Sequence, residues 1–160
     1  ADLTPLRNCP ELVFLSCEDT LISSLDGLEN CTKLTYIDCS DTAIRNLDPI
    51  AGLPNLEDVI LNGCHIDASL ERLCSIPTLK KLTFYQGTAE GVPADILSRE
   101  SYENCLSRLR EFYRRTSVGV QIERLCMTHV LIKVMVITFL VNACFYDISS
   151  NVKQNFESDF

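Results

Sequence analysis

The chain reads Leu12-x-x-Leu15-x-Cys17-x-x-Thr20-x-Ile22 and then repeats this pattern. The second copy is Leu34-x-x-Ile37-x-Cys39-x-x-Thr42-x-Ile44, and the third is Leu56-x-x-Val59-x-Leu61-x-x-Cys64-x-Ile66, each 22 residues after the last. The fourth copy, Leu79-x-x-Leu82-x-Phe84-x-x-Gly87-x-Ala89, begins 23 residues later because one residue is added near Ala68 and Ser69. A fixed period of this length indicates a solenoid of stacked repeats.

The first half of each copy alternates apolar and polar residues over about five positions. This alternation predicts a short strand with one buried face. Because each repeat contributes one such strand, the strands stack into a parallel sheet, and we expect that sheet to line the concave side of the solenoid.

The second half of each copy spaces its apolar residues by three, as in Ile22, Leu25, Leu28 and Cys31. This spacing predicts a tight, 3₁₀-like return along the convex side. Proline occupies the position that ends the return in three of the four places, where it removes the N–H group that a longer helix would need.

The period and the pattern L-x-x-L-x-L/C-x-x-T/C-x-I-x-x-L-x-x-L resemble leucine-rich repeats of the short, 22-residue class. Members of that class include the phosphatase-1 regulatory protein, the U2 snRNP A-prime protein and bacterial internalins. The resemblance covers about residues 3–90 and implies an α/β solenoid: a leucine-rich repeat arc with a parallel concave sheet, 3₁₀-like convex returns and a helical C-terminal cap. It also implies a protein-binding scaffold rather than an enzyme.

Residues 93–115 change in character, with apolar side chains, Tyr102 among them, at helical spacing and arginines between them. We interpret them as one or two amphipathic helices that cap the open end of the sheet. Leu3 and Leu6 are already in repeat phase, so we expect the chain to begin inside an earlier repeat. The predicted organisation is therefore about four repeats over residues 1–92, incomplete at the N-terminal end, and a helical cap over residues 93–115.

Residues 116–160 are an apolar segment and a polar tail. Residues 125–146 have the length of a membrane span, but Lys133 lies near their middle. Three interpretations stay open: a segment packed on the cap, a C-terminal membrane anchor, or sequence foreign to the native domain.

The charge is unevenly distributed within a net charge of −8. Residues 1–79 carry 13 acids and 4 bases, and residues 80–115 carry 5 acids and 7 bases. An acidic repeat region argues against nucleic acid as a partner, because phosphate binding depends on Lys and Arg, and it favours a basic protein partner. The nine cysteines include no C-x-x-C pair, which favours free, buried thiols and a cytoplasmic, intracellular location.

No residue set in the sequence supports catalysis, a metal site or a bound cofactor. His65 and His129 have no recognisable nucleophile and carboxylate partners, and no phosphate-binding glycine motif occurs. We therefore expect a protein that is not an enzyme.

The candidate binding surface is the solvent side of the sheet, at the second, third, fifth, seventh and eighth positions of each copy. There Phe14 and Tyr36 should lie side by side among carboxylates, which fits a groove that anchors and steers a basic segment. The plainer interpretation is that these acids are solvated surface residues. The predicted partner-binding residues are Phe14, Glu18, Asp19, Tyr36, Asp38, Asp41, Asp58, Ile60 and Tyr85.

Two functions are consistent with the sequence. The first is an interaction scaffold or regulatory module that binds a basic protein or peptide on its concave face. The alternative is a membrane-tethered leucine-rich repeat receptor or adaptor anchored through residues 125–146.

Overall fold

A computed structural model describes residues 3–121, 123–125, 127, 128, 130, 132 and 134. The chain divides into two compact units, Ala1–Arg114 and Arg115–Phe160. The repeats and the candidate binding surface belong to the first unit.

Each repeat contributes one three-residue strand to a four-stranded parallel sheet. The strands are β1 (Phe14–Ser16), β2 (Tyr36–Asp38), β3 (Asp58–Ile60) and β5 (Lys81–Thr83), in the order β1-β2-β3-β5. A second, two-stranded parallel sheet joins β4 (His65–Ile66) to β6 (Thr88–Ala89). The register follows the sequence period, because Phe14 faces Tyr36 and Tyr36 faces Asp58. The predicted solenoid and its parallel sheet are confirmed.

The apolar repeat positions form one continuous core beneath the sheet. In the second and third copies the strand residues Ile37 and Val59 are fully buried. Full burial of such a side chain contributes about 1.5–3 kcal/mol relative to exposure. Leu12 and Leu15 are only half-buried, and β1 is the first strand in the order of the sheet.

The returns are held by backbone hydrogen bonds between residues three apart. The Leu28 N–H donates to the Leu25 carbonyl at 3.2 Å, and the Cys31 N–H donates to the Leu28 carbonyl at 3.0 Å. Residues 47–53 repeat this arrangement. These are the bonds of a 3₁₀ turn, as the spacing of three predicted.

The added residue of the third repeat changes its return from 3₁₀ to α-helical. Residues Glu71–Cys74 form the one-turn helix α1, in which the Cys74 N–H donates to the Leu70 carbonyl four residues back at 2.9 Å. An α turn holds more residues than a 3₁₀ turn, so the insertion is absorbed here and the register of β5 is preserved.

Cysteines pack as small apolar residues inside the solenoid. All seven in the described part of the chain are free, and only Cys9 is exposed. The Cys17 and Cys39 Sγ atoms lie 3.5 Å apart, and the Cys64 thiol donates to the Cys39 carbonyl. Burial raises the pKa of Cys74 to about 12, so this thiol stays protonated and uncharged.

The outer edge of β5 is covered by the chain that follows the repeats. The Leu82 N–H donates to Asn104 Oδ1 at 3.1 Å, and the Cys105 N–H donates to the Leu82 carbonyl at 2.8 Å. The Phe84 N–H donates to Ser98 Oγ at 2.8 Å. The backbone groups of this edge strand therefore have partners within the molecule, which removes a site of edge-to-edge aggregation.

The helical part of the cap begins later than the sequence predicted. Residues Ala94–Ile96 form a single 3₁₀ turn, and the α-helix of the cap, α2, covers residues 106–114 within this unit. The intervening residues form a loop, because their backbone pairs with β5 instead of with itself. Tyr102, expected on the apolar face of a helix, lies in this loop and is 73% exposed. That expectation was wrong.

Helix α2 is fastened to the last return by an arginine. Arg110 Nε donates to the Cys74 carbonyl at 2.8 Å, and its Nη2 donates to the Ile76 and Leu79 carbonyls at 2.9 and 3.1 Å. Leu109, on the same helix, is fully buried. The arginine-rich segment therefore caps the solenoid in part by donating hydrogen bonds to carbonyl groups at the end of the last return.

In the second unit, residues 115–121 and the described residues up to 134 are helical. No helix formed by the described residues combines the length and the apolar character that a membrane crossing requires. Most of the proposed anchor, residues 125–146, lies outside the described residues, so that interpretation stays a prediction.

Candidate functional site

The solvent face of the four-stranded sheet is organised in rows that run across the strands. Parallel register places residues of equal repeat position next to one another. One row consists of Phe14, Tyr36, Asp58 and Lys81, and the next consists of Ser16, Asp38, Ile60 and Thr83.

Two aromatic rings form the centre of the N-terminal half of this face. Phe14 and Tyr36 are stacked, with ring centroids 4.3 Å apart and ring planes 4° from parallel. Phe14 is 58% exposed, whereas Tyr36 is half-buried. Aromatic side chains on a rigid sheet lose little conformational entropy on contact, which makes such pairs effective anchors in protein interfaces.

Four predicted acids lie on the same two repeats as the aromatic pair. Glu18, Asp19, Asp38 and Asp41 are exposed or half-buried, and none forms an ion pair with any other described residue. Asp38 is held in place, because its Oδ1 accepts from Ser40 N at 2.9 Å and from Ser40 Oγ at 2.7 Å. This half of the face therefore carries uncompensated negative charge.

Two of these acids also have a local structural role. Asp19 and Asp41 both adopt φ of 52°, and the equivalent positions Gly63 and Gln86 have φ of 69° and 55°. The turn after each strand thus requires a left-handed residue, which Asp and Gly tolerate better than most. Their presence in the turn is explained by the backbone, while their charge still contributes to the face.

The C-terminal half of the face is electrically balanced. Lys80 Nζ lies 2.8 Å from Glu57 Oε2, and Lys81 Nζ lies 3.8 Å from Asp58 Oδ2. These pairs could have been found in the sequence, because the lysines stand at the positions equivalent to the two acids. The predicted acidic face is consequently strongest over β1 and β2.

Asp58 is an incompletely satisfied carboxylate. Its Oδ1 is buried and has no hydrogen-bond partner among the described residues. Burial raises the pKa of Asp58, an effect that Lys81 opposes and the nearby Asp38 carboxylate reinforces. Burial likewise raises the pKa of Tyr36, and the carboxylates of Asp38 and Asp58 add to that shift.

The remaining predicted residues, Ile60 and Tyr85, are half-buried and lie nearer the capped end. The Tyr85 N–H donates to Asn62 Oδ1 at 2.9 Å, and Asn62 Nδ2 donates to the Ser101 carbonyl at 3.0 Å. The loop that carries Ser101 therefore reaches over this end of the sheet. All nine predicted residues are at least partly exposed, and eight of them belong to the first three repeats, with Tyr85 in the fourth.

Two further residues expected on the solvent face are buried instead. Thr83 is fully buried, because the segment at Asn104 pairs with it at the sheet edge, and Ser40 is 3% exposed. The burial of Thr83 could not be predicted from the repeat pattern, since it depends on a segment outside the repeats, whereas Ser40 bonds Asp38 within its own repeat.

The described residues contain no group of His, Cys, Asp and Glu side chains placed to hold a metal ion. His65 Nδ1 lies 3.0 Å from Thr88 Oγ1, where it joins the two strands of the small sheet. The arrangement on the sheet face offers recognition by stacking, charge and hydrogen bonding.

Comparisons with known proteins agree with the fold. Residues 10–52 match the family described as Leucine Rich repeats (2 copies). A search of curated proteins gave no significant match. Among solved structures, an internalin (inlF) from Listeria monocytogenes str. 4b F2365 matches with a TM-score of 0.53 and 27% sequence identity.

That alignment covers 57% of this chain and 27% of the internalin, so the chain spans about a quarter of the length of the structure that it resembles. The repeat pattern, the strand register and both matches lead to one assignment. Together they support a leucine-rich repeat protein.

Proposed function

We propose that this protein is a non-enzymatic interaction module that binds a basic protein segment on the concave face of its sheet. The partner contacts the stacked rings of Phe14 and Tyr36 and is steered by the carboxylates beside them. The module would serve as a scaffold or regulatory subunit. Its six buried free thiols favour a reducing compartment such as the cytoplasm.

The proposal is supported chiefly by one observation: the two repeats that carry the stacked aromatic pair also carry four acids that have no ion-pair partner among the described residues. Elsewhere on the same sheet, Glu57 and Asp58 are matched by lysines of the next strand. Charge that is left uncompensated beside an apolar anchor complements a basic segment with an apolar or planar side chain.

The binding experiment uses the full chain and a fluorescent twelve-residue peptide that contains both lysine and arginine. Anisotropy is measured at low and at physiological salt. The variant Tyr36→Ala with Asp38→Asn removes one anchor ring and one carboxylate, and we expect it to weaken binding about tenfold or more. Affinity for the native surface should fall as salt rises, because exposed charges are screened.

A matched control removes two acids from the convex side. Asp26 and Glu90 are exposed and lie in the returns. The double variant Asp26→Asn with Glu90→Gln therefore removes two negative charges without altering the sheet face. Affinity within about twofold of the native value is expected for this control, because screening limits charges that lie beyond the contact. If the control variant, which loses two negative charges, weakens the complex as much as or more than the sheet-face variant, which loses one, binding follows net charge and the proposed site is wrong.

A further inference from the structure

The row of side chains that contains the aromatic pair continues onto β3. Phe14 and Tyr36 are stacked 4.3 Å apart, which is close to the spacing of neighbouring strands. The next place in the row belongs to Asp58, and its short side chain supplies no third ring. The Tyr36 face that looks toward β3 is therefore next to a carboxylate instead of another aromatic residue.

That carboxylate lacks a close hydrogen-bond donor. Asp58 Oδ1 has no partner within the described part of the chain, and Lys81 Nζ approaches Oδ2 only to 3.8 Å. A separation of 3.8 Å is an ion pair rather than a hydrogen bond. The lysine already present thus offsets part of the charge but leaves the acceptor capacity of Asp58 unused.

We propose that this position receives an arginine side chain of the partner. The guanidinium would extend the stack on Tyr36 and donate to the Asp58 carboxylate, in place of the Lys81 ammonium. This inference rests on the proposed function, since it names the side chain through which the basic segment is recognised.

Arginine fits the position better than lysine for two reasons. Its guanidinium is planar and can lie parallel to an aromatic ring, and its several N–H groups allow it to donate to Asp58 Oδ2, the oxygen that is not buried, while that stacking is kept. A lysine of the partner would repeat what Lys81 already provides. The structure therefore predicts selectivity for arginine as well as general attraction of cations.

The test uses the full chain and three fluorescent peptides of otherwise identical Gly- and Ser-rich sequence. One carries arginines, the second carries lysines at the same places, and the third carries neutral citrullines. We expect the arginine peptide to bind about five- to tenfold more tightly than the lysine peptide. The citrulline peptide, which keeps the planar shape but loses the charge, should bind more weakly than both.

Two variants locate the source of this selectivity. Asp58→Asn should bring the affinities for the arginine and lysine peptides to within about twofold of each other. Lys81→Met removes the competing ammonium and should strengthen binding of the arginine peptide about threefold. The convex variant Asp26→Asn serves as a single-charge control and should leave the preference unchanged.

The outcomes separate this inference from the proposed function. Equal binding of the arginine and lysine peptides, with both still sensitive to Tyr36→Ala and Asp38→Asn, overturns the arginine site and leaves the basic-partner proposal intact. Selectivity for arginine that survives Asp58→Asn also overturns it. If neither charged peptide binds at this face, the proposed function itself fails.

Discussion

The two ends of the four-stranded sheet are built from the same repeat and differ in what lies against them. At the β5 end, residues 98–105 pair with the strand edge, and lysines match the acids of β3. At the β1 end, the strand positions Leu12 and Leu15 are only half-buried, and the aromatic pair is accompanied by unmatched acids. Repetition explains the scaffold, and the departures from repetition distinguish the capped end from the proposed binding end.

The largest expected difference between the two ends concerns equivalent leucines in the core. Leu82→Ala removes a fully buried side chain and should lower the free energy of unfolding by about 2–5 kcal/mol. Leu15→Ala acts on a half-buried side chain at the outermost strand and should cost about half as much, because less apolar surface returns to water. Urea denaturation measures both values. Equal losses would contradict the description of β1 as the less protected end.

A second difference lies at the ninth position of each copy, after the turn that ends the strand, which is Thr20, Thr42 and Cys64 in three copies and Gly87 in the last. A Cβ atom on Gly87 would lie 2.1 Å from Phe84 Cε2 and 2.4 Å from the Cys64 carbonyl oxygen. Gly87→Ala should therefore lower the free energy of unfolding by about 1–3 kcal/mol, since the Phe84 ring and the Cys64 carbonyl occupy the space that a Cβ atom needs.

Gly52→Ala is the control for this substitution, because nothing lies within 4 Å of a Cβ atom built there. Adding Phe84→Leu to Gly87→Ala should recover part of the loss by freeing the space that the ring occupies. If Gly87→Ala proves as mild as Gly52→Ala, crowding by Phe84 is not the reason for glycine at this position.

A third effect tests the covering of the β5 edge. Asn104 accepts from the N–H groups of Leu82 and Leu106 and donates to the Lys80 carbonyl. Asn104→Ala should lower the free energy of unfolding by about 1–2 kcal/mol and speed amide hydrogen exchange at Leu82. Asn55→Ala, which removes a single exposed hydrogen bond to Thr32, should leave exchange at Leu82 unchanged. Unaltered exchange in Asn104→Ala would show that the loop does not protect the edge.

The smallest expected effect is the pH dependence of stability that two acids, Asp58 and Glu103, contribute in opposite directions. Burial raises the folded-state pKa of Asp58, so its ionisation opposes folding, and stability is lost as pH rises from about 3.9 through the folded pKa. Hydrogen bonding to Arg108 lowers the pKa of Glu103 in the cap, so its contribution is present above about 4.3 and is lost as pH falls.

Asp58→Asn should consequently match or slightly exceed the native stability at pH 7, and the difference should disappear in acid. Glu103→Gln should be less stable than the native chain at pH 7 and approach it in acid. Thermal unfolding between pH 3 and pH 7 measures both trends. Two variants that change in the same direction would contradict these pKa shifts.

The sequence was sufficient for the parts of the fold that repeat. The strand positions, the register and the 3₁₀ returns all follow from the 22-residue period, because each copy packs against another copy of itself. The stacking of Phe14 on Tyr36 followed in the same way from equal repeat position. The consequence of the added residue near Ala68 did not, since the sequence located the insertion but not the α turn that absorbs it.

The parts that do not repeat were harder to predict. Residues 97–105 look helical by spacing, but Ser98 and Asn104 use their side chains to bond β5, and this tertiary pairing overrides the helical pattern. The burial of Thr83 depends on the same segment. The ion pairs of Glu57 and Asp58 with lysines could be predicted, because the lysines occupy the equivalent positions of the next repeat. The absence of a hydrogen-bond partner for Asp58 Oδ1 among the described residues could be found only in the structure.

The central claim is that a basic partner binds the β1–β2 half of the concave face. Backbone amide chemical shifts of the isotope-labelled full chain, recorded during titration with the arginine peptide, test it most directly. We expect the largest shifts on β1 and β2, in the turns that follow these two strands, and at Asp58. Shifts concentrated on the convex returns or on the cap, with those strands unaffected, would contradict it.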